Sequence, residues 1–232
     1  MTRLSSFEPG LHAVVIGASG GIGAAFADLL EKDRQVASVT RLSRSTGFDL
    51  TDPASIAAAA AALTVAPDLV ILATGLLHAD GLSPERDLRQ LSAAAFAMAF
   101  AINATGPALV AQALLPLLPK GRKTLFAALS ARVGSISDNR LGGWHAYRAS
   151  KAALNQIIRT IAIEQARKNP GSIVIGLHPG TVDTGLSKPF QRNVKTLFTP
   201  AESAAHLLGV INGATSASNG QLYDWKGKAI PF

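Results

Sequence analysis

The chain contains no cysteine. That excludes disulfide scaffolds, thiolate nucleophiles and cysteine metal sites, and it suits a reducing compartment. The histidines His12, His78, His145, His178 and His206 are dispersed with no ligand spacing, so no metal is expected. Charged residues make up only 16% of the chain, and long apolar runs are missing. The longest, Ala93 to Ile102 and Ile56 to Leu63, fall short of the roughly 18 residues that a bilayer span requires. The N-terminus, MTRLSSFEPG, carries no apolar signal region, so the reading is a cytoplasmic protein without a membrane span. There is no linker, no repeat of about 30 residues and no block of like charge.

What is present is 232 residues, 48% of them hydrophobic, the composition of one compact domain with a full-sized core. Basic residues outnumber acids 22 to 15, a net charge of +7 that admits nucleic acid, a membrane surface or a small polyanion as partner. Arg3, Arg41, Arg122, Lys123, Arg159, Lys188 and Lys226 are scattered and form no stripe interleaved with aromatics. Nucleic-acid binding is therefore not expected.

Short β-branched runs alternate with stretches of helical spacing, the pattern of repeated strand-helix-strand units. Candidate strands are Ala13 to Ile16, Val36 to Thr40, Leu69 to Ala73, Thr124 to Leu129, Ile173 to Leu177 and Gln221 to Trp225. They are apolar throughout rather than alternating, as strands covered by helices on both faces are. Helices are expected over Ile22 to Glu31, Ala54 to Leu63, Ser92 to Leu118, His145 to Lys168 and Ala201 to Ile211. The six alanines Ala57 to Ala62 would let their helix lie close to the sheet. The fold class is thus α/β, a doubly wound Rossmann-type parallel sheet, with residues 1–232 as a single dinucleotide-binding domain.

Strand, glycine loop and helix start follow one another at Ala13-Val14-Val15-Ile16, Gly17-Ala18-Ser19-Gly20-Gly21-Ile22-Gly23 and Ala24-Ala25-Phe26-Ala27. Gly17 would permit the tight turn, Gly21 would let the backbone approach a pyrophosphate, and Gly23 would let helix and strand pack closely. About 20 residues beyond the glycines, an NAD site has an acid for the ribose hydroxyl. Here the chain reads Val39-Thr40-Arg41-Leu42-Ser43-Arg44-Ser45-Thr46, with two arginines and no acid. A guanidinium matches a 2′-phosphate bidentately, so NADP(H) is the expected cofactor, held by Arg41, Arg44 or both. On a later helix, Tyr147 and Lys151 are four residues apart and share a face. A cation beside the phenol lowers its pKa from about 10 toward values useful in proton transfer.

The spacing G-x-x-x-G-x-G, together with Tyr147-Arg148-Ala149-Ser150-Lys151 more than a hundred residues later, resembles the short-chain dehydrogenase/reductase family. The stretches Ser130 to Leu154 and Gly220 to Phe232 resemble its C-factor and sniffer-type carbonyl reductase branch. The resemblance implies that Tyr147 donates a proton to a carbonyl oxygen, while Lys151 lowers the tyrosine pKa and holds the nicotinamide ribose. It also implies that Asn103 anchors a proton-relay water. Cofactor contacts would come from Gly17, Ser19, Gly21, Ile22, Gly23, Asp49, Leu50, Ala73, Thr74, Gly75, Pro179, Val182 and Thr184, besides Tyr147 and Lys151. His178 is a bystander in its turn.

Two features depart from the family pattern. Leu72-Ala73-Thr74-Gly75 lacks the usual asparagines, and Ser130-Ala131-Arg132-Val133-Gly134-Ser135 places Ala131 where a carbonyl-polarising serine is expected. Ser130 would have to reach in from a bent strand end, or Ser135 would substitute, or Tyr147 and other donors would hold the oxyanion. The implied function is an NADP(H)-dependent oxidoreductase that moves hydride between nicotinamide and a hydrophobic carbonyl or alcohol. Its pocket would be lined by Leu76, Leu77, Gly142, Gly143, Trp144, His145 and Leu186 to Phe190. The alternative is a cofactor-bound regulatory or signalling protein with weak or no catalysis. Both a homodimer and a monomer are compatible with the sequence.

Overall fold

The computed structural model describes residues 4–79, 83–192 and 196–232. Its strands are β1 (Leu11–Ile16), β2 (Val36–Leu42), β3 (Leu69–Leu72), β4 (Thr124–Leu129), β5 (Ser172–His178), β6 (Thr181–Val182), β7 (Leu197–Phe198), β8 (Leu222–Asp224) and β9 (Ala229–Ile230). The α-helices are α1 (Gly21–Leu30), α2 (Pro53–Ala61), α3 (Ala93–Phe100), α4 (Gly106–Leu114), α5 (His145–Lys168) and α6 (Pro200–Gly213). Seven strands form one sheet in the order β2-β1-β3-β4-β5-β8-β9, parallel except for the antiparallel β8–β9 pair. Strands β6 and β7 pair separately.

Each strand sends alternate residues to opposite faces, so one apolar run feeds two cores. Val15, Ile71, Leu125 and Ile175 pack with Phe26, Leu30, Leu207 and Ile211 from α1 and α6. Val14, Val70, Phe126 and Val174 pack with Ile56, Val110, Leu154 and Ile158 from α2, α4 and α5. The alanines of α2 do not close fully on β2. A cavity of about 500 Å³ remains between them, with His12 and Thr40 on the strand side and Ala54, Ala58 and Ala62 on the helix side.

The long helix expected over Ser92 to Leu118 is broken. Between α3 and α4 runs a π-helical turn, Ala101–Thr105, in which Gly106 N donates five residues back to Ala101 O. Pro107 explains the break, because it has no N–H to return to the Asn103 carbonyl. Gly106 is needed there, since a Cβ would lie 2.6 Å from Leu50 Cγ. Taken together, Ala93–Leu117 is 25 residues, with an 18-residue window of mean hydropathy 1.6, long and apolar enough by length and composition to cross a membrane. In the fold its Val110, Ala111 and Leu114 are buried against the sheet.

At the N-terminal end of the sheet Asp68 is 5% exposed and bridges two neighbours, accepting from His12 N at 3.0 Å and pairing with Arg122 Nη2 at 2.6 Å. Asp68→Ala removes the acceptor from a buried N–H and from a half-buried guanidinium. The expected loss is about 2 kcal/mol, read as a lower urea midpoint at unchanged m-value.

Candidate active site

The strand order reverses at β1, which has β2 on one side and β3 on the other. A crevice therefore opens beyond the C-terminal ends of β1 and β3. The glycine loop leaves β1 into it, and Ala73-Thr74-Gly75 leaves β3. Gly17 adopts φ +83°, and a Cβ there would lie 2.9 Å from Ala73 O; at Gly23 a Cβ would lie 2.1 Å from Gly17 O. The N-cap of α1 is Gly20, which has no side chain to cap it, so the first-turn N–H groups of Gly21, Ile22 and Gly23 are left for an anion. Ser19 and Gly21 are exposed at the tip. A Cβ on Gly21 would meet Thr184 Cγ2 at 2.8 Å, which places Thr184 directly across from the loop. Val182 is buried in β6, and Pro179 O accepts from Ser203 Oγ at 2.9 Å, fixing this segment to α6. The buried Thr74 hydroxyl beside Gly17 has no hydrogen-bond partner among the described residues. A helix end without a cap, a trough cleared of Cβ atoms and an orphaned hydroxyl fit a dinucleotide.

The two arginines differ. Arg41 is engaged, with Nη2 2.6 Å from Asp28 Oδ1 and 2.8 Å from Glu31 Oε2. Arg44 is exposed, and its side chain makes no hydrogen bond or ion pair among the described residues, although its charge acts on the Asp49 carboxyl. Asp49 accepts at 2.8 Å from both Thr51 N and Thr51 Oγ1, and these bonds hold its carboxyl below the usual range. The cap of α2 is Asp52, whose Oδ1 accepts from Ala54 N. Leu50 is buried against Gly106.

The α5 face brings the remaining groups together. Lys151 is 2% exposed, and its Nζ donates to Leu129 O at 2.8 Å and lies 5.9 Å from the Tyr147 ring centroid. Burial pushes the ammonium down to about 7 and pushes the Tyr147 phenol up. The phenol therefore keeps its proton at neutral pH, the state that a general acid needs. Asn103, in the π turn, is fully engaged: Oδ1 accepts from Leu76 N, and Nδ2 donates to Leu76 O and Ser150 Oγ. A Cβ on Gly75 would lie 3.5 Å from Lys151 Nζ and 3.6 Å from Asn103 Oδ1, so Gly75 keeps this corner open. Gly134, in the short turn Arg132–Gly134 that follows β4, lets that turn touch α5, where a Cβ would lie 2.8 Å from Lys151 Cβ.

Ser130 does not join Tyr147. It is 3% exposed, and its Oγ donates to Asn155 Oδ1 at 2.6 Å, deeper along α5. Ser135 is turned away too, accepting from Asp138 N at 3.2 Å. Ala131, at the position where the resemblance expects a serine, has no hydroxyl. His178 is held near 4, chiefly by burial and then by Arg132, so it is neutral at physiological pH.

Leu76 and Leu77 stand beside Tyr147 as expected, with Ala95 and Ala99 of α3 and Ala146. Trp144 packs edge-on to Tyr147 (6.2 Å between centroids) and to Phe190 (5.1 Å). Sequence reasoning missed Glu85, which is 3% exposed at the start of α5, where its Oε2 accepts from Ala146 N at 3.2 Å. No motif surrounds it, and nothing in its spacing points to α5.

The short chain dehydrogenase family profile matches residues 11–195. The C-signal protein of Myxococcus xanthus is 37% identical over 136 residues, 59% of this chain and 78% of that protein. The 1-hydroxy-2-glutathionyl-2-methyl-3-butene dehydrogenase of Rhodococcus sp. (strain AD45) is 34% identical over 181 residues, 75% of this chain and 74% of its own. Several further relatives are matched over about half of their length. Among solved structures, the NADPH-bound carbonyl reductase from chicken fatty liver superposes with a TM-score of 0.83 at 25% identity, covering 97% of this chain and all of that one.

The buried lysine makes stability depend on pH. Its pKa falls from 10.5 in the unfolded chain to about 7 in the fold, so between these values the unfolded chain binds more protons and raising the pH stabilises the fold. Lys123, pushed down to about 8 by burial, acts in the same direction. Lys151→Met is expected to keep only the Lys123 part, giving a shallower rise of unfolding free energy between pH 7 and 10 in urea titrations.

Proposed function

Because the chain belongs to the short-chain dehydrogenase family, we propose that it is an NADP(H)-dependent oxidoreductase of the cytoplasm acting on a carbonyl or alcohol, with Tyr147 as general acid and base. The observation that carries this reading is the buried Lys151 one helical turn from Tyr147, at the corner kept open by Gly75 beside the glycine-loop crevice. When bound, the cofactor supplies or accepts the hydride. Gly21, Ile22 and Gly23 would hold its pyrophosphate at the α1 N-terminus, with Ser19 and Thr184 at the rim. Lys151 and Gly75 would face its ribose, and Val182 and Thr184 its carboxamide. Arg44 would take the 2′-phosphate, because Arg41 is already paired with two acids.

In the reduction direction Tyr147 passes its proton to the substrate oxygen, and Lys151, once charged, steadies the phenolate left behind. Asn103 holds the Leu76 backbone in place through both its amide atoms. With Ser130 bonded to Asn155, the substrate oxygen lacks one positioned donor. Such a loss costs about a hundredfold in rate and leaves cofactor binding intact, so a slow enzyme is favoured over a purely regulatory protein.

Mixing NADPH with a panel of hydrophobic ketones, aldehydes and quinones should consume the cofactor. Tyr147→Phe is expected to lower kcat by at least about a hundredfold, and equal turnover by that variant would defeat the assignment. Arg44→Ala is expected to weaken NADPH at least about tenfold while changing NADH little, in fluorescence titrations of the cofactor. Equal weakening of both would remove Arg44 from the phosphate site.

A further inference from the structure

The proton transfer proposed for Tyr147 leaves one neighbouring carboxylate unused. Glu85 holds the start of α5 at two points: its main-chain oxygen accepts from Trp144 N at 2.5 Å, and Oε2 accepts from Ala146 N at 3.2 Å. Trp144 itself offers α5 no side-chain cap. The second carboxylate oxygen, Oε1, is buried and has no hydrogen-bond partner among the described residues. An unpaired carboxylate oxygen in apolar surroundings costs free energy that a bound donor would relieve. Glu85 lines a largely apolar cavity with Leu76, Leu77, Ser83, Ala99, Ala146 and Tyr147, and the free space there is about 10 Å³. That is room for one water, or for one hydroxyl or ammonium group of a ligand. The first-turn N–H groups of α5 favour negative charge at this end of the helix.

We propose that Glu85 is a specificity-determining residue, whose free oxygen accepts a hydrogen bond from a donor carried by the substrate next to its reacting carbonyl. The substrate class is then a hydroxycarbonyl or aminocarbonyl compound with an apolar body, rather than a plain hydrophobic ketone. This rests on the reading of Tyr147 as the acid. A buried acceptor discriminates strongly against an analogue that lacks the donor, because that analogue leaves the acceptor unpaired.

The test compares acetophenone, α-hydroxyacetophenone and α-aminoacetophenone with NADPH, using the wild-type protein and Glu85→Gln. Gln keeps an oxygen for Ala146 N and turns an amide N–H toward the substrate donor. The wild type is expected to favour a donor-bearing ketone by at least about tenfold in kcat/KM, and Glu85→Gln to bring that ratio down toward one. Which ratio collapses, hydroxyl or ammonium, identifies the donor. If Glu85 served only to cap α5, the variant would lower all three ketones in parallel and leave the ratios unchanged, which overturns the proposal. A wild-type ratio near one overturns it without the variant. Turnover without preference counts against Glu85 alone, and no turnover of the three ketones alongside turnover of other carbonyls overturns this inference alone. No turnover of any ketone, aldehyde or quinone by NADPH-loaded protein removes the oxidoreductase reading, and this inference with it.

Discussion

The site is organised around an ammonium group buried without a carboxylate. Lys151 Nζ has one protein acceptor, the Leu129 carbonyl at the end of β4, and no acid pairs with it among the described residues. Burying a charge this way is expensive, and its pKa falls accordingly. A polar ligand that completes the shell would offset that cost. Much of the surrounding structure shapes this corner: Gly75 leaves space against Nζ, and Gly134 lets the turn after β4 touch α5. The π turn sets Asn103 so that both of its amide atoms hold Leu76, next to Gly75.

The elements around this corner were largely readable from sequence, because their signals are local. Thr124 to Leu129 and His145 to Lys168 lie as their patterns indicate, since each is bounded by glycine, proline or a change of period. The glycine loop was readable for the same reason: Gly17 and Gly23 occupy positions where a Cβ would meet backbone. The broken helix was less so. Its apolar period runs through Pro107 without interruption, and only the missing N–H, together with the Leu50 contact at Gly106, explains why Ala101–Thr105 widens into a π turn.

What sequence could not supply is the direction of side chains at strand ends. Arg41 and Arg44 are equal candidates on paper. The three-residue step between them turns one toward Asp28 on α1 and Glu31 at its C-terminal cap and leaves the other in solvent. Ser130 is the same problem in a buried setting. One residue of register separates a hydroxyl facing substrate from one facing Asn155, because successive residues of a strand point to opposite sides. Glu85 was invisible for a different reason. Its partners, Trp144 and Ala146, are distant in sequence and bond to it through their backbone N–H groups, which carry no residue signature.

The turn that opens α5 connects these observations. Gly142, Gly143 and Trp144 all have positive φ, and Trp144 is the only non-glycine residue among those described that does. A bulky residue in the left-handed region is strained, and it persists only where its surroundings fix it. Here Glu85 holds the turn from one side, and Arg148 holds it from the other, with Nε donating to Gly142 O and Gly143 O and Nη1 donating to Val133 O. The strain sets where Trp144 stands, edge-on to both Tyr147 and Phe190. It therefore ties the wall of the substrate cleft to the first turn of the helix that carries Tyr147 and Lys151. A change that relaxes the turn would move the aromatic wall and the phenol together, so shape selection and proton transfer in this chain rest on one strained segment.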